Sequence, residues 1–205
     1  MTRSDEYMPR ILKHEGGFVD HPRDPGGATN KGVTIGTLRR LGMDLDGDGD
    51  VDVSDLKRVS DKDAAKVFKK FYGDAVQADL LPRGLDYAMT DFAVNSGPTR
   101  AAEHLQRILG VPVDGHIGPM TLAAMKGRNV PDMINDLCDS RLRFLRALST
   151  WGTFGRGWQS RVEEVRRLAG QDAVTVPIAR PSPAQPAQGF WAALFQAMLG
   201  IVKGR

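Results

Sequence analysis

Lys13-His14-Glu15-Gly16-Gly17-Phe18-Val19-Asp20 sets one acid between two different kinds of chain. Before it, Met8, Ile11 and Leu12 recur at helical spacing, so residues 4–15 read as a short amphipathic helix. After it, Gly16-Gly17 ends that helix, because glycine gains most from leaving it. Glu15 therefore stands at a helix end, against an apolar face and beside backbone without side chains, where a long polymer can approach closely. Burial in such a place keeps a proton on a carboxyl group near neutral pH, as a general acid requires.

The chain continues as His21-Pro22-Arg23-Asp24-Pro25-Gly26-Gly27-Ala28-Thr29-Asn30-Lys31-Gly32-Val33-Thr34. Its two prolines and three glycines shape a loop or an irregular hairpin. Asp24 comes nine positions after Glu15, beyond the turn, so it can fold back opposite the helix end. Two carboxylates across a cleft are the minimum for breaking a glycosidic bond: one protonates the departing oxygen, the other activates water or attacks the sugar. Thr29 and Asn30 are candidates to orient that water or hold the sugar. Asp24-Pro25-Gly26-Gly27 reads equally well as a plain turn in which Asp24 bonds its own backbone, and spacing alone leaves both readings open.

From Glu15 to Thr34, the EGG and DPGGATNKGVT elements resemble glycoside hydrolase family 108, bacterial and phage N-acetylmuramidases that serve as endolysins and in lysis-linked secretion. The resemblance runs over roughly residues 5 to 165. It implies a mainly α, lysozyme-like two-lobed helical fold with a small irregular hairpin near the cleft. It also implies hydrolysis of the N-acetylmuramic acid to N-acetylglucosamine β-1,4 bond, with Glu15 as the acid. Asp24 matches the spacing of phage-type lysozymes, in which a threonine follows the pair. Thr29 is the nearer candidate for that threonine and Thr34 the farther one. The catalytic set implied is Glu15, Asp24 and Thr29.

Residues 86–98, Asp-Tyr-Ala-Met-Thr-Asp-Phe-Ala-Val-Asn-Ser-Gly-Pro, have the spacing of a buried helix that breaks at Ser96-Gly97-Pro98. Asp91 and Asn95, four apart, share one face of it. Either they line the cleft floor and bond sugar hydroxyls and N-acetyl groups, or they satisfy a core helix. Tyr72 is a further substrate-binding candidate, with a place at the rim of the core as the alternative. Asp114-Gly115-His116-Ile117-Gly118-Pro119-Met120-Thr121 is similar to the DG-x-x-G-P-x-T segment of peptidoglycan-binding modules. On its own terms it is a tight turn before a helix that Pro119 opens. The stretch from Phe154 to Arg161 resembles the family's closing region, with Trp158 read as core or as a sugar-stacking platform.

Asp44-Leu45-Asp46-Gly47-Asp48-Gly49-Asp50-Val51-Asp52-Val53-Ser54-Asp55 fits the EF-hand-like calcium template: acids at positions one, three, five and twelve, glycine at six and an apolar residue at eight. The expected ligands are Asp44, Asp46, Asp48, Asp50 through its carbonyl, and Asp55, with Asp52 acting through water. Asp55 replaces the usual Glu, so the last ligand is shorter. An all-protein oxygen cage leaves no open position for chemistry, so the Ca2+ expected here is structural.

That loop holds six Asp and no Lys or Arg; setting its charges aside turns the net +3 of the chain into +9. The remaining surface is basic, which suits an anionic wall or lipid head groups, and no motif supports nucleic acid. Four scattered histidines lack zinc spacing, which argues against a zinc amidase. The single Cys138 excludes an internal disulfide and reads as core. Helical spacing occurs near 4–15, 34–41, 61–73, 84–96, 99–109, 119–126, 131–149 and 157–169.

The expected organisation is a catalytic lobe over 1–97, a second helical lobe over 98–170, a Pro-rich linker over 171–189 and an apolar tail over 190–205. Residues 190–202 are too few to span a bilayer, which takes about 20 apolar residues, and are expected to touch a membrane surface or the globular body. The N-terminus lacks a signal-peptide pattern. A monomer made in the cytoplasm and reaching the wall after holin-type release is therefore expected.

Overall fold

The computed structural model describes residues 2–20 and 27–174; the expectations for Asp24, for the stretch 175–189 and for the tail 190–205 fall outside the described residues. Helix α1 (Arg3–Leu12) turns Tyr7, Met8 and Ile11 inward. A short antiparallel hairpin follows, β1 (Thr29–Asn30) and β2 (Val33–Thr34), with Thr29 opposite Thr34 and Asn30 opposite Val33. Its two-residue turn has both Lys31 (φ 50°) and Gly32 (φ 74°) left-handed, the combination that matches the twist of tightly joined strands. Val19 bridges to Thr29 through paired backbone bonds of 2.7 and 2.8 Å, which lays the stretch after Glu15 along the hairpin.

Helix α2 (Ile35–Leu41) starts where Thr34 Oγ1 accepts from the Thr37 N–H. Helices α3 (Val53–Arg58) and α4 (Asp61–Phe68) each open on a capping box, Asp52 with Asp55 and Ser60 with Asp63. Helix α4 runs on into a π-turn at Lys69–Gly73. Helix α5 (Leu85–Ser96) leads at Gly97 into α6 (Pro98–Leu109), followed by α7 (Pro119–Ala124), α8 (Val130–Arg146) and α9 (Trp151–Val174).

Every residue of α5 from Leu85 to Ala93 is buried, because α1, α6, α8 and α9 pack around it. A helix buried on every side is the centre of a core, and its Asp86, Thr90 and Asp91 need polar partners there. Full burial of Met89 and Phe92 contributes about 1.5–3 kcal/mol each. The core continues without a break from α1 to α9, and the described residues fall in one compact unit. Cys138 is buried in it, and burial pushes its thiol up to about 11.

Three elements differ from the sequence reading. Helix α1 ends at Leu12 rather than at 15, so a turn at residues 13–15 separates it from Gly16-Gly17. Helix α3 was hidden inside the tail of the acidic loop, where Asp52 and Asp55 serve as cap residues. Helix α9 spans 151–174 rather than 157–169, so residues 171–174, assigned to the linker, continue the helix. A Cβ at Gly155 would lie 2.6 Å from the Trp151 indole, so this glycine serves packing inside a helix. Among the described residues no helix is long and apolar enough to cross a membrane.

Candidate active site

Glu15 sits one turn beyond α1, its N–H bonded to Leu12 O at 2.9 Å, and its side chain is 22% exposed. Burial is therefore partial, and three neighbours fill in what the helix end leaves open. On the hairpin side, a Cβ at Gly32 would lie 3.0 Å from Glu15 Oε2 and 2.7 Å from the Phe68 ring. Only glycine serves there, for its backbone angle and for the space. From the π-turn, Tyr72 packs against Phe68 at 5.4 Å between ring centroids. Burial raises the Tyr72 phenol, and the negative charge of Glu15 adds to the effect. From α9, Arg161 Nη1 stands 3.6 Å from Glu15 Oε1.

Arg161 is itself held. Its Nε and Nη2 donate to Asp91 Oδ1 at 3.0 and 2.8 Å, while Arg141 Nη1 from α8 donates to Asp91 Oδ2 at 2.6 Å. Burial alone would raise the Asp91 carboxyl; the two guanidiniums overcome it and leave the group below the usual carboxylate range. A planar guanidinium fixed along one edge presents its remaining nitrogen in one direction. The chain Arg141–Asp91–Arg161–Glu15 thus ties the acid to α5, α8 and α9.

Of the two readings open for Asp91, the structure supports the core one: its side chain is fully buried between two arginines and has no surface to offer a sugar. Asn30 also leaves the sugar-binding set, since it is 6% exposed and its Nδ2 donates to Leu56 O at 2.8 Å, tying the hairpin to α3. Tyr72 stays beside Glu15. Asn95 is exposed at the end of α5, accepting from Ser96 Oγ at 3.2 Å, one turn beyond Asp91. Thr34 spends its hydroxyl on the α2 cap, whereas Thr29 Oγ1 has a long 3.5 Å contact with Gly27 O. His14 turns away to Glu164, 3.3 Å from its Nε2.

Sequence reasoning missed Arg161, Arg141 and Gly32. Asp91 in the middle of a helix read as buried was the available signal, because a buried acid demands a cation in return. Gln106 was missed too. Buried at 1% exposure, it accepts from the N–H groups of Asp114 and Gly115 and donates to His116 O, so the DG-x-x-G-P segment is folded around it as architecture.

In the acidic loop, Asp44 accepts from the N–H groups of Gly47 and Gly49 at 2.6 and 3.0 Å, and Asp48 from Asp50 at 3.1 Å. Oxygens of Asp44, Asp46 and Asp48 lie within 4.8 Å of one another, and those of Asp50, Asp52 and Asp55 form a second such triad. Of the four carboxylates expected as ligands, Asp44, Asp46 and Asp48 fall in one group and Asp55 in the other. Asp55 accepts from Leu45, Asp46 and Asp52 N–H groups, and those bonds hold its carboxyl below the ordinary range despite burial. Asp46 Oδ1 is buried without a hydrogen-bond partner, and burial followed by the charges of Asp48 and Asp55 raises that carboxyl.

Residues 8–97 match the family model described as Glycosyl hydrolase 108, and residues 100–163 the one described as Predicted Peptidoglycan domain. Among solved structures, the chain is 42% identical to Brucella abortus SagA, covering 83% of this chain and 95% of that one, with a TM-score of 0.69. Comparison with curated proteins gave no match. The chain belongs to glycosyl hydrolase family 108. As a family-108 protein with its peptidoglycan region, it is a glycosidase that degrades peptidoglycan, on a mainly helical, lysozyme-like fold. In family-108 terms the Glu15 cluster draws on both matched regions: Glu15, Gly32, Tyr72 and Asp91 come from the first, Arg141 and Arg161 from the second.

Proposed function

We propose that the protein hydrolyses the β-1,4 bond between N-acetylmuramic acid and N-acetylglucosamine, as an endolysin-type muramidase. Glu15 donates its proton to the bridging oxygen, and the carboxylate left behind faces the fixed Arg161 guanidinium. Asp24 is proposed as the second carboxylate, stabilising the oxocarbenium ion or activating water. Thr29 is proposed to position that water, a role its lightly engaged hydroxyl favours over that of Thr34. The observation that carries the reading is the fixed placement of Glu15, partly exposed, against the hairpin and Arg161.

The acidic loop is proposed to bind one structural Ca2+. The oxygens of Asp44, Asp46 and Asp48, with an orphaned one on Asp46, suit a hard cation. Asp55 supports the loop through backbone bonds at least as much as it offers an oxygen.

Digesting purified, membrane-free sacculi, reducing the new ends with borohydride and weighing the fragments tests the bond assignment. Muramitol ends are expected; glucosaminitol ends would contradict it.

A further inference from the structure

We infer that the cavity beside the C-terminal end of α5 receives the peptide stem carried by the wall glycan, so that the enzyme reads stem and sugar together. The inference rests on the reading of the chain as a wall glycosidase. The cavity, 240 Å³ in volume, is lined by Asn95, Ser96, Arg100, Phe144, Leu148 and Trp158 among others. Its position follows from helical spacing. Asn95 lies four residues after Asp91 on α5, and Trp158 three before Arg161 on α9, so each shares a face with a residue of the network that holds Glu15. One helical turn, about 5.4 Å, separates the cavity walls from that network along each helix.

The lining chooses the occupant. Phe144, Leu148 and Trp158 give an apolar floor, and Asn95 adds an exposed amide at the edge. Among the described residues, Arg100 is the only charged one in the lining, and no carboxylate lines the cavity with it. Its guanidinium stacks on the Phe144 ring at 4.6 Å, and Nη1 donates to Ser96 O at 2.9 Å. A stacked, oriented guanidinium is prepared to take a carboxylate through two parallel bonds. Nearby, burial and then the positive charge of Arg107 depress His104 against the opposing charge of Glu103, with Arg100 and Arg143 adding smaller contributions. Short peptides with methyl side chains, backbone amides and free carboxylates match floor, amide and cation together. An uncharged sugar ring leaves the cation unused.

The test compares kcat/KM on intact sacculi with kcat/KM on glycan strands stripped of their stems by an amidase, for the full chain and for Arg100→Glu and Asn95→Ala. The wild type is expected to prefer intact sacculi, and that preference should fall about tenfold in Arg100→Glu and measurably in Asn95→Ala at unchanged melting temperature. Equal loss on both substrates, or an unchanged preference in both variants, overturns the stem site. Failure of the wild type to cut either substrate overturns the glycosidase reading and this inference with it.

Discussion

Asp91 is buried completely, and its two arginines stand on helices 50 and 70 residues away in sequence. Removing one partner of such a cluster leaves buried charge uncompensated, which costs about 3–5 kcal/mol. Asp91→Asn should therefore destabilise the fold by that amount at pH 7, read from urea denaturation. Because the folded-state carboxyl titrates below its unfolded value of about 3.9, its contribution is present above that pH and disappears as the pH falls through the folded-state value. The wild type and Asp91→Asn should therefore converge in stability in acid; a constant difference down to the lowest pH would contradict the assignment. The position of Glu15 just past the first helix was legible in the sequence, although that helix stops at Leu12, three residues before the end that the double glycine suggested. Arg161 was not, since an ion partner 146 positions away has no local signature.

Elements were legible where a local rule settled them. The α4 capping box, Pro119 at the start of α7 and the buried pattern of α5 all follow from short-range chemistry. The first turns of α9, before residue 157, escaped because glycine propensity argues against a helix there, although Gly155 packs against the indole of Trp151. The acidic loop was legible as a template, but not the division of its acids into two triads, which depends on where α3 begins. For this element the proposed ion sets the prediction. A bound ion stabilises by about 2.7 kcal/mol at a hundredfold excess over its Kd. Chelation should lower the melting temperature of the wild type and leave Asp48→Ala unchanged; identical responses in the two proteins would remove the ion from the account.

At the scale of the whole molecule, the two regions matched by separate family models share one core. Helix α5 closes the first region yet is covered by α8 and α9 from the second. Residues 1–97 produced alone should consequently lack a cooperative thermal transition, while the full chain melts in one step; a well-folded 1–97 fragment would show that the first region needs no cover. The sequence suggested two lobes because the motifs fall into two groups, and periodicity does not reveal that one helix serves both. That shared core holds the acid in place, so the decisive comparison is between the full chain and its Glu15→Gln variant, both shown to be folded by their melting curves, in the release of reducing ends from purified sacculi. The account predicts that release by the variant falls by at least about a hundredfold, the scale of a lost general acid; release at the wild-type rate would contradict it.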